Sequence, residues 1–319
     1  MNWNRCLRYI AGSLLSIGAG AASAQEYPAK TVTLVIPYAA GGPTDLAARV
    51  VATALETKWK QSVIVENRPG AGSMVGTGSV ANAEPDGYTL LANSNAYYTA
   101  TLFNKSVPYD PNDLVPVVQL SESFNILSAN PSVEARNLNE MLALVKANPG
   151  KYNYGTLAFT TLDLDLNAFL GATGLEMQGI PYNSQADIQL ALLKNEVQFI
   201  FGIQISVTPA IKEGKVVPIA TLAPERIGAL PDVPTAKEQG LDFVSGNTFG
   251  ILAPAAAPQN VRDTLQKDVV EVLRDPAVQE KLAKLNVTVP KDPAGWPAKV
   301  KAELERNISV AAKLNIVPQ

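Results

Sequence analysis

The chain has 319 residues, 47% of them hydrophobic and 17% charged, with a formal net charge of −3. That balance excludes a disordered chain and a basic nucleic-acid binder, and the length suits two domains or one large one. There is one cysteine and no histidine, which removes Ser-His-Asp and Cys-His catalysis and every zinc site that needs imidazole.

The N-terminus reads as a secretion signal. Arg5 and Arg8 supply a positive n-region, residues 10–22 an apolar core, and Ala22-Ser23-Ala24 an A-x-A cleavage site, so the mature chain is expected to begin near Gln25, in the periplasm. Cys6 falls in that leader, leaving the mature chain without a disulfide or a thiol nucleophile. Loss of Arg5 and Arg8 moves the charge from −3 to −5. No later run approaches the ~20 apolar residues of a membrane span. An exported chain without this apparatus reads as a binder, with no cofactor and no metal.

Residues 31–36, mostly β-branched and aliphatic, predict a buried strand that Pro37 stops. Gly41-Gly42 turns the backbone, and Thr44 or Asp45 is expected to cap a helix with apolar residues at Leu46, Ala47, Val50, Val51, Ala54 and Leu55. Amides at such a helix start form an anion site. A second strand over 62–65 leads through Gly70-Ala71-Gly72-Ser73 into a small-residue helix over 74–83, and a third strand over 88–92 ends in Asn93-Ser94-Asn95. The glycine spacing is wrong for a dinucleotide fingerprint and fits close packing of a helix on a sheet. Three loops after three strands converge on one mouth, where ligands bind in open parallel sheets.

Residues 114–120 and 124–129 read as paired strands closed by Asn130-Pro131. The strand–helix pattern then restarts: a helix capped by Asn137 with Glu140, a strand over 152–154, a helix to about 170, and a strand over 177–180. A helix over 185–194 capped by Ser184 follows, then strands over 197–201 and 217–222 with a short helix between them. Thr235 and Glu238 predict a capping box on a helix of one or two turns stopped by Gly240; residues 248–253 form a last strand, and helices cover 258–274, 276–285 and 293–314. Asp163 and Asp165 read as solvated charges near a helix start. Tyr97 and Tyr98 fit either a cleft wall or core packing. Thr160 and Thr161 fit either a helix cap or hydroxyl donors to a ligand.

These motifs together resemble the periplasmic solute-binding proteins of tripartite tricarboxylate transporters, the Bug or TctC family. The match is carried by Tyr27-Pro28, by residues 36–45 and 65–72, and by Pro85-Asp86-Gly87-Tyr88. It continues through Val107-Pro108-Tyr109-Asp110-Pro111, Ile180-Pro181-Tyr182, residues 230–235 and residues 250–254, across the whole mature chain. The resemblance implies an α/β chain with a type II periplasmic-binding-protein fold: two α/β domains joined by crossing strands, with a ligand cleft between them. The expected ranges are 1–24 for the signal, 25–124 with 248–319 for the first domain, and 125–247 for the second. It implies a small carboxylate as ligand, held by backbone amides of the first loop, and delivery to a membrane permease. The chain is expected to act as a monomer, with no nucleic-acid partner. The expected ligand residues are Tyr38, Ala39, Gly41, Gly42, Thr44 and Asp45 on the first loop, with Ser94 and Asn95 beside it. Phe159, Thr160, Thr161, Tyr182, Asn183 and Gly202 stand across the cleft, with Phe249 on the crossing strand.

Two departures bear on the ligand. Residues 155–163 lack the family's histidine, and Gly202-Ile203-Gln204 replaces its acidic or amide residue. Loss of the acid removes a partner for an ammonium group, and Leu157, Phe159, Tyr97, Tyr98 and Phe249 suggest an apolar, aromatic cleft. An aromatic acid of the terephthalate type is therefore expected ahead of citrate. A ligand-sensing role in signalling is the alternative to transport; an exported hydrolase is disfavoured by the absence of histidine.

Overall fold

The structure is a computed structural model that describes residues 27–157, 160–285 and 287–318. The leader expected over 1–24, and Phe159, lie outside them. The aliphatic run forms β1 (Val32–Ile36), followed by α1 (Pro43–Trp59), β2 (Val63–Asn67), α2 (Met74–Ala81), β3 (Thr89–Ser94) and α3 (Ala96–Phe103). β1 lies between β2 and β3 and runs parallel to both, with Leu34 level with Val65 and Leu90. All three C-terminal ends open on the same rim.

Next comes β4 (Leu114–Ala129), a single strand of 16 residues, which corrects the expected strand pair. Ser121-Glu122-Ser123 contains no glycine or proline to turn the chain. Those residues carry the strand onward through register shifts at 116–118 and 119–121. The remaining elements are α4 (Leu138–Lys146), β5 (Asn153–Thr156), α5 (Thr161–Thr173), β6 (Gln178–Pro181), α6 (Gln185–Leu193), β7 (Phe199–Ile203) and α7 (Gln204–Lys212). They continue with β8 (Val217–Thr221), β9 (Gly246–Pro254), α8 (Gln259–Arg274), α9 (Pro276–Lys284) and α10 (Trp296–Lys313). The sheet order is β2-β1-β3-β9-β4-β7-β5-β6, with β8 also paired to β4.

The first part of β4 pairs with β9 from Leu114 to Phe124, and its last five residues, Asn125 to Ala129, pair with β7. One continuous strand thus serves both halves, and β9 returns the chain to pair with β3. These are the crossing strands of a two-lobed α/β fold. Each half has its own core. In the first half the sheet is covered on one face by α1, α8 and α9 through Leu34, Val51, Leu55, Leu265 and Val269. On the other face Val35, Val80, Leu91 and Leu252 pack around Trp296 of α10. The second core gathers Phe169, Phe201 and Phe243, whose rings meet edge to face with Phe169 at 5.4 and 5.5 Å.

Of two helix expectations, the capped one is held to a single turn and the C-terminal one starts later than read. Thr235 and Glu238 do make the reciprocal capping bonds, at 3.0 and 2.8 Å, but the chain completes only a turn. The Thr221 amide donates to Pro234 O and Thr221 O accepts from the Ala236 amide, pinning that stretch beside β8, and Gly240 at φ +93° ends the turn. α10 begins at Trp296, not Pro293, because the Pro293 carbonyl accepts from the Gln119 amide of β4 at 2.9 Å.

Candidate functional site

The loop from β1 to α1 crosses the rim with Ala39, Ala40 and Gly41 exposed, while Thr44 and Asp45 are buried beneath it. Gly41 sits at φ +89°, the left-handed region where glycine is favoured. The residue capping α1 is Gly42, in extended conformation with Pro43 next, and not Thr44 or Asp45 as expected. Asp45 instead turns back. Its carboxylate accepts from the Gly41 amide at 2.9 Å, Arg49 Nε at 3.0 Å and Asn67 Nδ2 at 2.9 Å. Burial pushes the Asp45 carboxyl up, but the Arg49, Gly41 and Asn67 bonds outweigh it and hold it below the usual carboxylate range. Asp45 is therefore an internal brace whose charge Arg49 offsets. Among the described residues the amides of Thr44 and Asp45 have no partner. They are the free donors of the helix start, in a place without a net neighbouring charge.

Behind the loop lies a buried polar cluster. The Tyr38 hydroxyl donates to Asn93 Oδ1 at 2.7 Å and stands 3.2 Å from Ser94 Oγ. Asn93 Nδ2 donates to Thr77 Oγ1 at 2.9 Å. Burial raises the Tyr38 hydroxyl's pKa, so it stays a neutral donor. Ser73, at φ +83°, directs its hydroxyl toward Tyr38 without reaching hydrogen-bond geometry, and that oxygen is buried with no partner among the described residues. Ser94 sits level with Phe249 of β9, which lies level with Ser121 of β4 on its other side. Phe249 is half-buried at that crossing. Asn95, expected to face ligand, is 1% exposed and its amide donates to Glu303 of α10.

Across the mouth, Thr160 occupies the cap position of α5, but its hydroxyl donates to Leu157 O at 2.7 Å. Thr161 is half-buried beside it. Thr156 Oγ1 donates to Asp163 at 3.0 Å. Gly202 is buried where α7 approaches; an added Cβ would stand 2.1 Å from Val207 Cγ1, so this glycine serves packing. Tyr182 and Asn183 line a depression on the flank of α6 with Asp187, Leu190 and Lys194. A cavity of about 330 Å³ between the halves is lined by Glu122, Ser123 and Thr288 on one side and Gln204, Thr208 and Lys212 on the other.

One reading left open is decided and one expectation is corrected outright. Tyr97 and Tyr98 are core residues, 5% and 1% exposed, with rings edge to face at 5.3 Å; they form no cleft wall. Asp165 is not solvated. It is 2% exposed, accepts from Arg306 at 2.9 Å and from the Ser245 hydroxyl at 2.6 Å. Asn93 lies in the Asn-Ser-Asn run read at the end of β3; Thr77, Glu303 and Arg306 were not anticipated. Among the described residues no cluster of histidine, cysteine, aspartate or glutamate is arranged to hold a metal.

A family model described as the tripartite tricarboxylate transporter family receptor matches residues 47–313. The chain belongs to that family. The protein BugT of Bordetella pertussis is 32% identical over 90% of this chain and 90% of its own length. Among solved structures, MatC of Rhodopseudomonas palustris with bound malate is 29% identical, with a TM-score of 0.67 over 89% of this chain and 100% of that one. R. palustris Rpa4515 with adipate is 27% identical, with a TM-score of 0.71 over 92% and 100%. Transporter receptors of this family are periplasmic binding proteins, so this chain is a binder and not an enzyme.

Proposed function

We propose that this receptor captures a small dicarboxylate in the cleft between its lobes and delivers it to the membrane subunits of a tripartite transporter. One carboxylate rests on the free amides of Thr44 and Asp45 at the start of α1, with Gly42 leaving room for it. The single observation that carries this reading is that pair of partnerless amides, at the N-terminus of a 17-residue helix that opens on the rim of β1, β2 and β3. Adipate in one relative and malate in another support a diacid. An amino acid is disfavoured, because Gly202-Ile203-Gln204 offers no acid for its ammonium group. The lobes are residues 25–124 with 248–319, and 125–247; the mature chain starts near Gln25 and acts as a monomer. Closure follows from the ligand bridging both lobes.

An aromatic diacid such as terephthalate is the second reading. Phe249 beside Ser94 favours it, although Tyr97 and Tyr98 no longer do. Calorimetry with adipate, malate, terephthalate, citrate and glutamate tests both. Binding of a diacid with no heat from glutamate is expected, and a ligand at a hundredfold excess over Kd adds about 2.7 kcal/mol of stability. Silence from every carboxylate refutes the reading. Ligand uptake lost on deleting the permease separates transport from signalling.

A further inference from the structure

α10 carries two residues one turn apart, Glu303 and Arg306, that reach opposite halves of the molecule. Glu303 accepts from Asn95 Nδ2, and Asn95 directly follows Ser94 at the ligand rim. Arg306 Nη2 donates to Asp165 Oδ1 of α5 at 2.9 Å and Nη1 to Val244 O at 3.2 Å. Ser245 donates to the other Asp165 oxygen at 2.6 Å and accepts from Asn125 Nδ2 of β4 at 2.8 Å. The chain of contacts thus runs from the ligand loop, through α10, to the second lobe and the crossing strands. Phe103, Leu164 and Ala311 form a small apolar cluster that joins α3, α5 and α10.

The charges in this cluster do not balance when all are ionised. Two carboxylates, Glu303 and Asp165, share the charge of one guanidinium, giving a net charge of −1 where Asp165 is buried and Glu303 and Arg306 are half-buried; one shared proton brings it to zero. The other titratable groups that face it are Tyr97 and Tyr98 of α3, and burial holds both hydroxyls neutral. β4 and the 244–245 segment present only Asn125, Ser245 and a backbone carbonyl. Lys299, on the same helix, turns instead to Gln119 at 3.3 Å. The Arg306 side chain is 38% exposed, so the cluster has a route to solvent.

We propose that the Glu303–Arg306–Asp165 cluster is a proton-linked part of the binding site, taking up a proton when an anionic ligand occupies the rim beside Ser94 and Asn95. This rests on the carboxylate-binding reading above. A ligand anion adds negative charge near a cluster already carrying one, and the cluster answers by binding a proton. Burial raises both the Glu303 and the Asp165 carboxyls, Asp165 to about 7 against the opposing pull of Arg306, which puts the exchange within the working pH range.

Calorimetry of diacid binding in buffers of different ionisation heat, from about pH 6.5 upward where the ligand is fully ionised, measures the protons exchanged. The wild type is expected to take up a fraction of one proton per ligand. Its Kd should rise by roughly threefold to tenfold over two pH units, the range of an ordinary through-space charge coupling. Asp165→Asn and Glu303→Gln each leave one carboxylate for one guanidinium. In the first the new amide oxygen still accepts from Arg306 while its nitrogen donates to Ser245, which reverses that bond; in the second the new amide oxygen still accepts from Asn95. Both should abolish the uptake and flatten the pH profile. A melting curve for each variant certifies its fold. Binding with no proton exchange, or with proton release, overturns the proposal alone, as does uptake that survives in both variants. A protein that binds no carboxylate at any pH overturns the functional reading and this proposal together.

Discussion

Gly42→Asp separates the ligand grip from the fold. Gly42 lies at φ −76° and ψ 166°, which any residue adopts, and an added Cβ meets nothing nearer than Ala39 O at 3.9 Å. Aspartate is a better cap than glycine by a few tenths of a kcal/mol, and its carboxylate has the Thr44 and Asp45 amides to accept from. The fold therefore stays as stable as the wild type or gains slightly. Binding fares differently. The new carboxylate occupies the donors intended for the ligand, and a second anion placed ~4 Å away at an effective dielectric near 20 is opposed by about 4 kcal/mol, roughly a thousandfold in Kd. Gly42→Asn, with the same shape and no charge, isolates the electrostatic share and should lose far less. Titration calorimetry and a thermal melt on the three proteins decide it. A Gly42→Asp variant that melts normally and binds its diacid as well as the wild type refutes the assignment of these amides.

Phe249→Ala should weaken aromatic acids more than adipate in side-by-side calorimetry, since Phe249 is half-buried and level with Ser94 where β9 meets β3; equal losses count against an aromatic wall. Gln204→Ala should weaken diacids more than monoacids, because Gln204 opens α7 at the junction of the halves with no side-chain partner among the described residues; a direct comparison of a diacid with its monoacid reads this. Ser73→Gly should stabilise the fold by about 1 kcal/mol in urea melts, as it relieves a left-handed serine and removes a buried partnerless hydroxyl. Stability should depend on pH in opposite senses at two carboxyls. Asp165 binds its proton more tightly folded than unfolded, so its contribution is full below about pH 4 and is lost as pH rises to about 7, at a slope of at most ~1.4 kcal/mol per pH unit. Asp45, held below the usual range, loses its contribution only as pH falls through the acid region. Asp165→Asn should flatten the first slope in pH-resolved urea melts and leave the second.

The first strand, loop and helix were legible because a single period explains each part: aliphatic residues in β1, two glycines at the turn, and apolar residues on one face of α1. The actual role of Asp45 was not, since a side chain four residues before Arg49 and twenty-two before Asn67 offers no local sign that all three meet. The same limit hid the α10 cluster, whose Arg306 and Asp165 lie 141 positions apart. β4 was misread because Ser121-Glu122-Ser123 interrupts the apolar alternation as a turn would; only the partner strand, with Phe249 facing Ser121, makes it continuous. Tyr97 and Tyr98 were ambiguous for another reason. A tyrosine pair in a short helix fits a cleft or a core equally well, until Trp296 and α10 fix which face is covered.

The distribution of partners around the rim bears on selectivity. Backbone amides at a helix start read negative charge and little else, so with the proposed grip on Thr44 and Asp45 the first lobe would accept any carboxylate that fits. Discrimination then has to come from side chains facing it, and several candidates there are already engaged. Thr160 is bonded to Leu157 O, Thr156 to Asp163, and Gly202 is spent on the contact with Val207. A group that holds an internal bond loses that bond in making one to a ligand, and the exchange contributes little net free energy. Gln204 and Phe249 stand outside those bonds, one polar and one apolar. On this reading the distance a ligand spans from Thr44 and Asp45 to Gln204, and whether it offers a face to Phe249, matter more than its total charge.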